Sequence, residues 1–439
     1  MTGLMRTLAV LAARYGSVFV QFLVVAVVTR TVPRDDAGLY FTLMGVVLAT
    51  YFLAGFGIPD GLVRHLPAIS ATGELQQATS LARRSFGASL TSAPIGAVLT
   101  GAIALGLTGS IQLAALTAGW WAAYGLIFIG SQLIVARGSA TLGSSLFYSS
   151  ANAGQLLITV PWILLSGATS LEVVMLATAC GTGVTALVVT TVALGFARRG
   201  QPKARRPHER VPSHLGPVLR DGLWIAAGRV VQAGIIWSPV WAAGLILSLS
   251  DAALIGLACR LVSAVAAVIA AVKFSIRPEL AARAANGDWE TISAKGSRIA
   301  FLASVLAVVA AIVSVALGDL VITPVFGGSY MGTGLLVGLL LIGTLGESLG
   351  GPVDEVLKMS GSARAVFIAQ AVTLPVSFAL QVLLGSAYGV IGLAIAYGCS
   401  FAAMYGSLVV YLWRRRRVTI LPWPRRSRLQ SSTNTQLEM

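Results

Sequence analysis

Charge is scarce in this chain. Asp, Glu, Lys and Arg make up 11% of its 439 residues, where soluble domains carry ~25%. That shortage excludes a soluble protein, whose surface would need more. Acidic residues are scarcer still, 16 against 31 Lys and Arg. A basic excess fits nucleic acid when it is gathered on one soluble face, but here it lies between apolar runs, and no nucleic-acid partner is expected. Cysteine is almost absent. Cys180, Cys259 and Cys399 each sit inside an apolar run, with neither a disulfide pattern nor metal-ligand spacing, and read as small core residues. No metal and no cofactor are expected. A G-x-x-x-x-G-K-[ST] loop is also missing, which excludes the phosphate cradle of an intrinsic ATPase. No small-x-small cleavage site follows the first apolar run, Leu8 to Val28. That run is too long for a signal peptide and reads as a retained span.

What the chain does have is apolar length. Hydrophobic residues reach 56%, and twelve apolar runs can be marked. They are Leu8–Thr31, Leu39–Ile58, Ser85–Leu107, Leu113–Val135, Leu142–Ser166, Leu171–Ala197, Gly222–Leu249, Ala252–Ile276, Ile299–Val325, Gly334–Val356, Ala365–Leu384 and Gly389–Trp413. At ~1.5 Å per residue each spans a hydrocarbon core of ~30 Å. With the N-terminus inside, 27 of the 31 basic residues fall on inside segments and only Arg30 and Arg34 in outside loops. Such a bias predicts an all-α membrane protein with both termini cytoplasmic in a bacterial-type inner membrane. The basic, Pro-broken segment 198–220 divides two six-helix lobes, 1–197 and 221–413, and a basic then polar tail, 414–439, reads as an anchor on anionic membrane lipids. In segment 277–298 Leu280, Ala281 and Ala284 share one face, as on a short surface helix.

Six spans per half make any repeat a parallel one, related by a pseudo-two-fold along the membrane normal. A shift of 215 residues lays Arg14 over Arg229, Asp36-Ala37 over Asp251-Ala252 and Leu39 over Leu254. Charges within spans are costly and mark functional positions. Arg260 lies nine residues after Asp251, hence about 13 Å deep. Arg229 lies about two turns into the seventh span, and Arg14 takes its place in the first half. The reading is that Arg229 and Arg260, with Arg14 and Arg30, bind a phosphate-bearing substrate in a central cavity, since guanidinium matches phosphate oxygens bidentately. Glu347, deep in the tenth span, reads either as a proton or cation site or as the neutraliser of a neighbouring Arg. Asp60, placed with Glu347 among the ion-coupling candidates, stands four residues from Arg64, within reach of an ion pair. Asn152 and Gln155 in the fifth span read as helix-to-helix hydrogen bonders.

One stretch, Thr29 to Ala68, contains the pattern R-x-x-P-x-x-x-x-G-L-Y followed by an apolar span and G-x-P-x-G-L-V-R. Its residues are Arg30, Pro33, Gly38, Leu39, Tyr40, Gly57, Gly61, Leu62, Val63 and Arg64. Pro324 to Gly332 add a Phe-Gly-x-x-Tyr turn. In these motifs the chain resembles the polysaccharide-transport and O-antigen flippase family of the multidrug/oligosaccharidyl-lipid/polysaccharide exporter superfamily. The resemblance implies outward flipping of a polyprenyl-diphosphate-linked oligosaccharide by alternating access, without enzymatic chemistry, alongside polysaccharide assembly proteins. Two rival readings remain. A multidrug-type exporter would want acidic cavity residues. A membrane glycosyltransferase or polymerase would use acidic loop residues such as Asp35-Asp36, but the outside loops are too short for an acceptor-binding domain.

Overall fold

The computed structural model describes residues 3–71, 75–167, 169–198, 215–276, 280, 283–284 and 286–422, with the side chains of 3–15 and of a few residues elsewhere outside that description. The described chain is helical almost throughout. In lipid this is the expected outcome, because each helix satisfies its backbone polar groups internally. The helices are α1 Gly3–Thr31, α2 Arg34–Thr50, α3 Ile58–Ala71, α4 Leu75–Thr108, α5 Ile111–Ala136, α6 Ala140–Gly154, α7 Val160–Ser166, α8 Leu171–Arg198, α9 Leu215–Ile246, α10 Leu249–Ser275, α11 Trp289–Phe326, α12 Thr333–Gly343, α13 Leu345–Gly350, α14 Val353–Met359 and α15 Ala363–Arg416.

Among the described residues nine helices are long and apolar enough to cross a membrane. The remaining expected spans are accounted for by local breaks. The fifth is α6 joined to α7 through a π-helical turn, Gln155–Thr159. The eleventh and twelfth follow one another in α15 and are divided by non-helical backbone at Gly389 (φ 60°, ψ −144°). The first contributes Gly16–Thr31 as a shorter apolar helix. This is an all-α polytopic membrane protein. Residues 199–214 of the 198–220 segment, residues 277–279, 281–282 and 285 of the surface-helix segment, and the tail beyond 422 lie outside the described residues.

The chain divides into two compact units. The first comprises residues 1–257 together with 323–330, and the second 258–322 with 331–439. The core of the first unit is α5, which packs between α4 and α8. Ser110 caps its start by accepting a hydrogen bond from the Leu113 amide, and Trp120, Trp121, Ile127 and Phe128 are buried along its length. Tyr40 of α2 stacks on Trp120 with ring centroids 5.7 Å apart. Asn152 of α6 donates to Ser17 of α1, the helix-to-helix role expected of it. This unit also contains α9, because α9 packs along α2 and α3. In the second unit α12, α13 and α14 form one broken rod packed on α15. Small residues allow that approach: a Cβ on Gly343 would meet the Gly398 Cα at 2.8 Å, and one on Gly346 the Ala402 Cα at 2.5 Å.

Candidate functional site

The opening motif packs onto α9 and the start of α10 along its whole length, and its glycines mark the two ends of that seam. At one end Gly38 lies against the first turn of α10. A Cβ there would stand 1.8 Å from the Leu249 carbonyl oxygen. At the other end Gly57 and Gly61 cross the first turns of α9. A Cβ on Gly61 would be 1.9 Å from the Val218 carbonyl oxygen, and one on Gly222 would be 1.9 Å from that of Gly57. Both ends are therefore sealed by backbone against backbone. Gly57 has a second constraint, φ of +82°, in a turn where Gly55 and Phe56 also have positive φ. The turn ends the α2 span and starts α3, and left-handed backbone of this kind costs other residues about 1–2 kcal/mol each. Midway, Gly45 faces Trp237 and Trp241, and the Trp241 indole donates to the Thr42 carbonyl at 3.2 Å.

Polar contacts reinforce each end. At the Gly38 end Arg30 donates to the carbonyls of Val325 (2.8 Å) and Pro324. Arg34 donates to those of Ser250 and Ser329, both at 3.0 Å, and Asp35 accepts from the Ser250 hydroxyl. The expected Phe-Gly-x-x-Tyr turn is thus a docking point for Arg30 and Arg34. At the Gly57 end Asp60 pairs with Arg229 at 3.0 Å. The Arg229 guanidinium also lies 5.5 Å from the Phe52 ring centre and 5.9 Å from that of Phe128. Arg64 and His65 both meet Asp221, at 3.3 and 3.0 Å. The expected pairing of Asp60 with Arg64 is overturned. Asp60 is turned into the interface with α9, and Asp221 offers Arg64 a closer carboxylate.

The other site candidates fall in both units. Arg229 and Arg30 belong to the first unit, whereas Arg260 belongs to the second, buried at 8% exposure. The Arg14 side chain lies outside the described residues. Tyr40 serves as a core anchor on Trp120. Glu347 neutralises a cation, as one of its two readings expected, but the partner is Lys273 at 2.8 Å and not an arginine. Lys273 also stands 3.7 Å from Asp354. Lys358 reaches Asp354 at 3.0 Å and Glu355 at 3.3 Å. Sequence reasoning missed this group because Lys273 reads as one of several basic residues at a span edge. The spacing of Glu347 from Asp354 and Glu355, two helical turns, was the available signal.

Neither a family model nor a curated protein sequence matches this chain. Solved structures do. A multidrug resistance MATE family transporter of the MOP superfamily, in an inward-facing conformation, superposes with a TM-score of 0.70 at 13% identity, over 94% of this chain and 98% of that one. The fold is that of the MOP transporters. The lipid II flippase MurJ, in an inward closed conformation, aligns with a TM-score of 0.66 at 12% identity, covering 93% and 87%. A MOP superfamily transporter from Pyrococcus furiosus, described as having a binding pocket of reverse polarity, gives 0.61 at 14% identity over 94% and 95%.

Proposed function

We propose that this chain is a flippase that moves a polyprenyl-diphosphate-linked oligosaccharide from the inner to the outer leaflet. The observation that carries the reading is the double seam. One hairpin closes on α9 at its Gly57 end and on α10 at its Gly38 end, each through backbone contact backed by arginines. A carrier that alternates access needs one closure at each membrane face, and the orientation read from the basic residues puts the Gly57 end inside and the Gly38 end outside. A guanidinium suits a diphosphate, the role proposed for the buried Arg260, and outward movement of one negative charge gains ~2.3 kcal/mol per 100 mV when the inside is negative.

The second reading is export of small lipophilic molecules. It is favoured by the MATE superposition and by the carboxylates Glu347, Asp354 and Glu355 in the second unit. Depletion of the protein decides between them. Lipid-linked oligosaccharide accumulating on the cytoplasmic face supports the flippase, whereas unchanged lipid intermediates with raised sensitivity to lipophilic cations support the exporter. Arg260→Ala is expected to abolish flipping while leaving membrane insertion intact, and unchanged flipping in that variant would overturn the role given to Arg260.

A further inference from the structure

After α15 the chain turns back and packs on the second unit. Arg417, the first residue past the helix, has φ of +57°, and its amide donates to the Trp413 carbonyl at 2.8 Å. A left-handed residue at this position reverses the chain, in a conformation that a side chain larger than glycine's adopts only at a cost. The reversal lays residues 417–420 along the start of α11, where the Ser293 hydroxyl donates to the Thr419 carbonyl at 2.6 Å. Ile420 is 0% exposed, whereas its neighbour Leu421 is 45% exposed. Two glycines make the socket that holds Ile420. A Cβ on Gly296 of α11 would meet the Ile420 side chain at 2.9 Å, and one on Gly351 would meet it at 3.2 Å. Gly351 is the break between α13 and α14 (φ 54°, ψ −138°). It also lies on α11, since its Cβ would stand 2.9 Å from that of Ala300. One side chain thus fills the corner between α11 and the broken rod.

The same corner is strongly basic. Arg414 to Arg417 are four consecutive exposed arginines, and Lys295 and Arg298 are exposed on the first turns of α11. Against these six cations, segments 289–298 and 414–417 hold one carboxylate, Glu290. Seating Ile420 brings the like charges together, and their mutual repulsion opposes it. Two of the arginines lie over tryptophans. The Arg416 guanidinium is 4.6 Å from the Trp289 ring centre and that of Arg417 is 5.1 Å from the Trp413 ring centre. A guanidinium stacked on an indole keeps its N–H edge for phosphate oxygens, and tryptophan sits at the headgroup level of a bilayer. We propose that the headgroup phosphates of anionic phospholipids bind the Arg414–Arg417 run and, by neutralising it, hold Ile420 in its socket as a latch on the Gly351 break. The anchor read from the sequence then acts on the fold itself. In a bilayer poor in anionic lipid the turn lifts, and α14 is freed to swing about Gly351.

The latch is independent of the cargo, and its test uses none. Amide exchange, which reports local opening, is followed by mass spectrometry on the full-length protein in nanodiscs. One set is phosphatidylcholine alone and the other contains phosphatidylglycerol as well. Phosphatidylglycerol is expected to slow exchange in residues 417–421 and in α14 together, by about tenfold or more, and to leave α5 of the first unit unchanged. Equal exchange of the wild-type protein in the two lipids overturns the headgroup site, a comparison that needs no variant to fold. So does a slowing that reaches α5 equally, which marks a general effect of the bilayer. Ile420→Ala empties the socket and is expected to speed exchange in both segments about tenfold. If it frees residues 417–421 and leaves α14 as it was, the latch is overturned. Arg414→Gln, Arg415→Gln, Arg416→Gln and Arg417→Gln combined should abolish the difference between the lipids, and a difference that survives in that variant overturns the site.

Discussion

Asp60 has 2% of its side chain exposed, and among the described residues Arg229 is the cation that pairs with it. Breaking a buried pair from one side costs about 3–5 kcal/mol, since the survivor keeps its charge without a partner. Arg229→Met is accordingly expected to destabilise the protein by about 3 kcal/mol, and Asp60→Leu combined with it to recover most of that loss, as read by thermal melts in detergent. Asp288 behaves differently. It accepts from the Thr291 amide at 3.2 Å and from Arg283 at 2.6 Å, capping α11. Those hydrogen bonds, Thr291's first, hold its carboxyl below the ordinary range. A depressed folded value means that the cap's contribution is complete above about pH 4 and disappears as the pH falls further. Amide exchange in the first turn of α11, corrected for intrinsic rates, should therefore show unchanged protection from pH 8 to pH 5. In Asp288→Ala that protection should be reduced throughout. At this scale the sequence was only partly legible. The costly in-span charges were identifiable from transfer energetics, but their partners were not. Asp221 and Lys273 sit at span edges where a charge is ordinary, and only packing brings them to Arg64 and Glu347.

The α2–α3 hairpin is an element defined by what its glycines admit. Gly61→Ala would place a methyl 1.9 Å from the Val218 carbonyl oxygen, a backbone atom that cannot step aside. The expected outcome is a loss of about 1–3 kcal/mol and a loosened Gly57 end. A cysteine at Val218, buried in the wild-type structure, should become reactive to a cytoplasmic thiol reagent in that variant. An Ala at Gly183, where a Cβ meets nothing within 4 Å, should leave stability and labelling unchanged. Element boundaries were the more legible level. Runs of about twenty apolar residues place twelve spans unaided, since lipid leaves no alternative to helix. The break in α15 at Gly389 falls where the twelfth span was expected to begin, whereas the π-turn at Gln155–Thr159 was not visible. It depends on how neighbouring helices meet: Gly154 is pressed on Gly181, where a Cβ would lie 2.0 Å from a carbonyl oxygen, and an extra residue in the turn accommodates the crossing.

For the whole molecule, the two ends of the hairpin give a prediction that the choice of cargo does not affect. Arg30→Ala removes both hydrogen bonds to the 324–325 carbonyls and should favour opening of the Gly38 end, whereas Asp221→Asn should favour the Gly57 end. Combined, the two should partly restore the wild-type balance, as followed by accessibility labelling from each side of reconstituted vesicles. The orientation of those vesicles can be set by the run Arg414–Arg417, which the proposed orientation puts in the cytoplasm.

The seams also bear on electrical tightness. Side chains that close a gate by bulk leave crevices wide enough for a thread of water, and protons hop along such threads. Here backbone touches backbone at Gly38 and again at Gly61 and Gly222, so neither closure has room for one. A bilayer packed with this protein should therefore conduct no more than bare lipid. A single methyl at either seam is the change expected to open a leak.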